Sequence, residues 1–146
     1  MIILEEINAQ NWEACTELEV TSEQEDFIAS NLYSIAQLQF LPNFCGKAIY
    51  YQGTLVGFAM YGIDNDDGNY WIYRFMLDKA YQQKGLGSLA MQAVIEDIQR
   101  QNKMAIPSIM LGYAPENIAA KRLYLKLGFK VQGMAEWGEE LASYTL

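Results

Sequence analysis

An α/β fold with a partly parallel sheet is predicted by three features of the sequence. Strand-like and helix-like segments alternate over residues 70–134, the order that parallel pairing requires. Upstream, two strand-like runs flank Gln52-Gly53, a hairpin turn. Leu86, Leu89, Ala90, Ala93, Val94 and Ile98 recur at helical spacing and give one apolar face to cover the sheet. A length of 146 residues suits one domain with a sizeable core, and the chain reads as a single domain over residues 1–146.

In chain order, residues 2–6 are a short first strand. Asn11 caps a helix over Trp12–Glu19, with Trp12, Cys15 and Leu18 near one face. Thr21 or Ser22 caps a second helix starting at Glu23. A third runs from about Tyr33 to Gln39, before Pro42 ends the helical zone. Cys45 falls in a loop-like Phe44-Cys45-Gly46-Lys47 stretch, and Lys47–Tyr51 and Thr54–Ile63 are the hairpin strands. Residues 64–69, rich in Asp, Asn and Gly, are a loop by composition. Tyr70–Leu77 is a strand of aromatic and branched residues, and Ser108–Tyr113 is another. Pro115-Glu116-Asn117 opens a helix with Ala120, Leu123, Tyr124 and Leu127 on one face, and Gly128 suits its C-terminal end. Phe129–Met134 and Leu141–Leu146 form a last strand pair around a loop that holds Glu136, Trp137, Gly138, Glu139 and Glu140.

Composition removes whole classes of function. The chain has no histidine, which excludes imidazole triads and histidine-bearing zinc sites. Its two cysteines, Cys15 and Cys45, have no metal-ligand spacing and read as ordinary thiols. A net charge of −8 lacks the basic footprint of a nucleic-acid binder, and it favours cationic partners. No window is long and apolar enough for a membrane span. The N-terminus lacks the basic start and apolar stretch of a signal peptide, which points to the cytoplasm.

The segment Tyr81-Gln82-Gln83-Lys84-Gly85-Leu86-Gly87 follows a strand and opens a helix. Glycines let backbone amides approach a ligand, and a helix N-terminus presents unpaired N–H groups with positive partial charge. That combination suits a phosphate, and Lys84 adds a full positive charge. Glycines alone also fit a tight turn into a helix. The pattern is neither a Walker A loop nor the dinucleotide fingerprint.

Gln82-x-x-Gly85-x-Gly87 resembles the acetyl-CoA motif of the GNAT superfamily of N-acetyltransferases. A second signature stands about 30 residues on, in Asn117-x-x-Ala120-x-x-Leu123-Tyr124-x-x-x-Gly128-Phe129. The two motifs occur in the family's order and spacing. Residues 55–62 and Trp71 to Phe75 resemble the family's bacterial spermine/spermidine acetyltransferases. The resemblance implies a mixed, partly splayed sheet flanked by helices, with acetyl-CoA (coenzyme A) as cofactor. It implies that Gln82, Gln83, Lys84, Gly85, Leu86, Gly87 and Ser88 hold the pyrophosphate. Backbone near Phe75, Met76 and Leu77 would meet the pantetheine arm and the thioester carbonyl. Asn117, Lys121, Arg122 and Tyr124 would complete the cofactor site, with Tyr124 as the acid that serves the leaving thiolate. Packing alone also accounts for Tyr124, a helix cap for Asn117, and a solvated surface charge for Arg122.

Acetyl transfer to an amine requires a neutral nitrogen. With an alkylamine pKa of about 10.4, roughly one molecule in 2,500 is neutral at pH 7. Many family members place a glutamate on the strand before the phosphate loop. Here that strand, Trp71 to Leu77, has no carboxylate, and Tyr73 is left either to orient a water or to pack. On the acceptor side the family uses the N-terminal helices and the C-terminal loop. Glu23, Glu25 and Asp26 stand in the first region, Glu136, Glu139 and Glu140 in the second. Tyr33, Trp71 and Trp137 offer aromatic faces to a cation. Both acidic clusters also read as solvated surface. The expected acceptor is a small-molecule amine, best a cationic polyamine such as spermine or spermidine. A protein N-terminus, an amino acid or another small amine stays open, as does a non-catalytic CoA-binding sensor. No nucleic-acid or membrane partner is expected, and the exposed sheet edges leave room for a homodimer.

Overall fold

The computed structural model describes all 146 residues. Seven strands form one mixed sheet: β1 (Ile2–Glu6), β2 (Phe44–Tyr51), β3 (Thr54–Ile63), β4 (Tyr70–Leu77), β5 (Ser108–Tyr113), β6 (Lys130–Met134) and β7 (Glu140–Thr145). Their order across the sheet is β1-β2-β3-β4-β5-β7-β6. Only β4 and β5 pair in parallel; every other pair is antiparallel. The four α-helices are α1 (Trp12–Glu17), α2 (Asn31–Gln37), α3 (Leu86–Gln101) and α4 (Ile118–Leu127). None is long and apolar enough to cross a membrane.

Strand β3 is covered on both faces, so Val56–Tyr61 is a continuous buried run rather than an alternating one. On one face Val56, Ala59 and Tyr61 pack into the larger core with Ala90, Met91, Val94, Ile95 and Ile98 of α3. On the other, Phe58 and Met60 join Cys15 of α1 and Met76 of β4 in a smaller core beneath the N-terminal helices. Each of the Val, Ile, Phe and Met side chains among them contributes about 1.5–3 kcal/mol by leaving water.

The expectations for β3, β4 and β5 match the structure at both ends of each strand. The helix expected from Glu23 does not form; the segment makes only a 3₁₀ turn over Glu25–Phe27. Its apolar residues, Phe27 and Ile28, are adjacent and supply no helical stripe, and Glu23, Glu25 and Asp26 crowd like charges into one turn. The next helix starts at Asn31, two residues early, because the Ser30 side chain accepts a hydrogen bond from the Tyr33 N–H. Cys45 and Gly46 belong to β2, not to a loop. A Cβ on Gly46 would stand 2.6 Å from Leu38 Cδ1, so this glycine answers to packing and not to a turn. Gly62 is more constrained, since a Cβ there would stand 2.1 Å from the Asn43 carbonyl oxygen, which is backbone and cannot yield. We expect Gly62→Ala to lower unfolding stability by about 1–3 kcal/mol in urea titration.

One irregularity positions the site. The β3–β4 register skips Tyr73, with Met60 opposite Arg74 and Tyr61 opposite Ile72. An extra residue of this kind bends a strand. The parallel pairing stops at the same point: Tyr70–Ile72 pair with Ile109–Leu111, and β4 continues to Leu77 with no neighbour on its β5 side. β5 meanwhile stays fully paired with β7. The sheet therefore splays between β4 and β5.

Candidate functional site

Two cavities meet at the splay. The smaller, about 250 Å³, runs along Met76 and Leu77 to Gln82, Gln83 and Gly87. The larger, about 660 Å³, opens toward Asp64, Tyr73, Gly112 and Trp137. Phe75 from β4, Asn117 at the cap of α4 and Ala120 and Tyr124 within it line both. A group lying along the free β4 edge in the smaller cavity thus ends where the larger one begins.

The loop between β4 and α3 is built for an anion. Gln83 and Gly85 adopt left-handed backbone at φ 60° and 79°, which turns successive amides toward the α3 N-terminus. The Gln82 side chain fixes this loop by donating to the Leu77 carbonyl at 2.9 Å and to Gln24 Oε1 at 2.8 Å. A Cβ on Gly87 would make only ordinary contacts, with Leu123 at 3.6 Å and Leu77 at 4.0 Å, so this glycine keeps the cavity open and is not forced by a clash. Leu86 is buried in the core, and Ser88 is half-buried in the first turn of α3. Lys84 is exposed, its Nζ 5.9 Å from the Tyr81 ring centroid. Free strand-edge amides, an amide-lined helix start and an apolar channel between them fit a long, phosphorylated, amide-bearing group such as coenzyme A.

Asn117 caps α4, its Oδ1 accepting the Ala120 N–H at 3.3 Å, and also faces both cavities. Lys121 lies 2.9 Å from Glu140, so its charge is engaged within the fold. Arg122 is exposed and makes no ion pair. The Tyr124 ring packs against Tyr113 and Phe129 at centroid distances of 5.7 and 5.8 Å. Burial, and then the Glu139 carboxylate, push its phenol up to about 12. A group raised in this way keeps its proton until the pH climbs through the raised value. A pH–rate profile should therefore show no alkaline loss from Tyr124 below about pH 10. An alkaline fall centred near pH 8 that disappears in a Tyr124→Phe variant would contradict this.

The acceptor-side residues divide sharply. Glu23, Asp26 and Tyr33 are exposed and line neither cavity. Glu25 borders a separate hollow beside α1, and Glu136 points to solvent. Tyr73 does line the larger cavity, and its hydroxyl donates to Asp64. Asp64, Asp66, Asp67, Arg74 and Tyr113 line it too, and none of them was singled out for the site from the sequence. The dense aspartates directly before an aromatic strand were the available signal. Asp67 accepts from the Trp71 indole at 2.9 Å, whereas no hydrogen bond of the fold uses the Asp66 carboxylate. Arg74 donates to Gln37 at 3.0 Å and to the Tyr73 carbonyl at 3.1 Å, while its Nε is buried without a partner.

The sequence model of the acetyltransferase (GNAT) family matches residues 7–129. A probable spermine N(1)-acetyltransferase of Bacillus subtilis subsp. natto is 33% identical over 145 residues, covering 95% of this chain and 94% of that one. The spermine/spermidine N(1)-acetyltransferase of Bacillus subtilis strain 168 is 32% identical with the same coverage. An aminoglycoside acetyltransferase solved with coenzyme A and kanamycin superposes with a TM-score of 0.81 at 20% identity, over 99% of this chain and 95% of that one.

Proposed function

The chain belongs to the acetyltransferase (GNAT) family and uses acetyl-CoA, and from that premise we propose that it acetylates a primary amine of a polyamine such as spermine or spermidine, by direct attack of the amine on the thioester. The observation that carries the acceptor class is the charge of the larger cavity. Asp64, Asp66, Asp67 and Glu139 line it against the single cation Arg74, and Trp71, Tyr73, Tyr113 and Trp137 add aromatic faces. A chain with several spaced ammonium groups matches that lining in charge and in cation–π capacity. The two Bacillus relatives, named for spermine and spermidine, support the same class.

Acetyl-CoA supplies the activated acetyl group when bound. On this reading the amides of Gln83–Ser88, with Lys84 beside them, hold its phosphate oxygens. The free β4 edge at Phe75–Leu77 pairs with the amide-bearing arm, and one of its N–H groups stabilises the oxyanion. Asn117 steadies the arm where the cavities join. Tyr124 donates a hydrogen bond to the sulfur as the carbon–sulfur bond breaks.

Asp66 gives the cleanest test of the acceptor class, because neutralising it disturbs no bond of the fold. Asp66→Asn is expected to raise KM for spermine about 3–10-fold at low salt, with less effect at 0.5 M salt and none on a monoamine. Equal KM changes for spermine and propylamine would remove the charge argument.

A further inference from the structure

We propose that Glu139 is the proton acceptor for the attacking amine. The proposal rests on the acetyl-transfer reading above but not on which amine is used. β4 carries no carboxylate from Tyr70 to Leu77, so the base comes from another element. Of the carboxylates in the acceptor cavity, Asp64 and Asp67 are bonded to Tyr73, Trp71 and amides of their own loop, and Asp66 is exposed.

Glu139 is brought to the mouth of the splay instead. It ends the turn between β6 and β7, where its carbonyl accepts the Ala135 N–H at 2.7 Å and its Oε1 accepts the Trp137 indole N–H at 2.7 Å. The carboxylate lies over Gly112, the first residue of β5 beyond the pairing with β4. A Cβ on Gly112 would stand 2.9 Å from Glu139 Oε1, so the absent side chain is what lets the carboxylate settle there. Across the gap its charge is felt by Arg74 on β4, and on the α4 side by Tyr124. Glu139 thus lines the larger cavity beside Gly112 of β5, on the same lining as Arg74 of β4 and Tyr124 of α4. It also stays without an ion pair, because Lys121 is taken by the neighbouring Glu140 at 2.9 Å, which also accepts from the Tyr113 hydroxyl at 2.6 Å.

The protons balance as follows. The ammonium loses one proton to solvent by way of Glu139, and the neutral nitrogen then forms its bond to the acetyl carbon. The nitrogen passes its surplus proton to Glu139, and the carbon–sulfur bond breaks with its electron pair left on sulfur. That sulfur is protonated beside Tyr124, the proton returning from Glu139 through water. One proton is released to solvent for each ammonium acetylated.

Glu139→Gln keeps the size of the side chain and an acceptor for Trp137. With whichever amine the wild type acetylates best, kcat is expected to fall about 10²–10³-fold. Acetyl-CoA affinity by calorimetry and the thermal midpoint should hold. The kcat of the variant should climb about tenfold per pH unit where the wild type has levelled off, and formate should restore part of the rate of Glu139→Ala. Gly112→Ala, which displaces the carboxylate without removing it, should lose kcat to a smaller extent. An unchanged kcat in Glu139→Gln, or a loss confined to KM with the wild-type pH profile, would overturn the proposal and leave Glu139 a cation-attracting group. The choice of polyamine fails separately, in the wild-type enzyme's preference among amines.

Discussion

Replacing Tyr124 by phenylalanine is expected to lower kcat about 10²–10³-fold while leaving acetyl-CoA affinity and folding in place. The ring makes the packing contacts, with Tyr113 and Phe129, and phenylalanine keeps them. Only the hydroxyl is lost, and it belongs to the one tyrosine that lines both cavities. Its pKa of about 12 defines the role further. A thiol has a reference value of about 8.5, so full proton transfer from this phenol to a thiolate would be uphill by roughly 5 kcal/mol. On the proposed reading Tyr124 serves as a hydrogen-bond donor to the forming thiolate, protonated at all physiological pH, with the amine as the final source of the proton. Rapid-mix and steady-state rates of CoA release, together with calorimetric titration of CoA, separate the two effects. A parallel loss of affinity and kcat would assign Tyr124 to binding alone.

Gly87→Glu is expected to weaken acetyl-CoA binding on the order of 100-fold or more without unfolding the chain. The direction of an added side chain decides this outcome. At Gly87 the first carbon meets Leu123 and Leu77 at ordinary contact distances, so Gly87→Ala should be nearly silent. A longer, negative side chain enters the 250 Å³ cavity at the start of α3. There it would oppose the phosphates that the proposed reading places at these amides. Two like charges about 4 Å apart cost roughly 4 kcal/mol at the effective dielectric of a protein surface, more than the tenfold step of 1.4 kcal/mol. The KM for acetyl-CoA and the thermal midpoint, measured for both variants, check the pair. Strong binding in Gly87→Glu would move the phosphate site elsewhere.

The local parts of this fold were legible because local chemistry dictates them. Thr54–Ile63, Tyr70–Leu77 and Ser108–Tyr113 are apolar or branched runs preceded by Gly53, Asn69 and Pro107, and the Leu86–Ile98 spacing permits only a helix. What stayed hidden is non-local. The insertion of β7 between β5 and β6 joins segments far apart in the chain, and nothing near Glu140 announces it. The bulge at Tyr73 depends on how β3 registers against β4. The acceptor side shows the same limit. Glu23, Asp26 and Tyr33 had suitable chemistry but no helix to carry the acidic pair inward. The Asp64–Asp67 loop, legible only as a turn, reaches the cavity because β3 ends and β4 begins beside it.

Transfer of an acetyl group to a polycationic amine is tested by release of free CoA thiol from acetyl-CoA across a set of amines at fixed pH and salt. The set contains spermine, spermidine, putrescine, propylamine, an N-terminal peptide, free amino acids and an aminoglycoside. The highest kcat/KM is expected for spermine or spermidine, falling stepwise as ammonium groups are removed. Turnover that favours the peptide or an amino acid, or that ignores the number of ammonium groups, would contradict it.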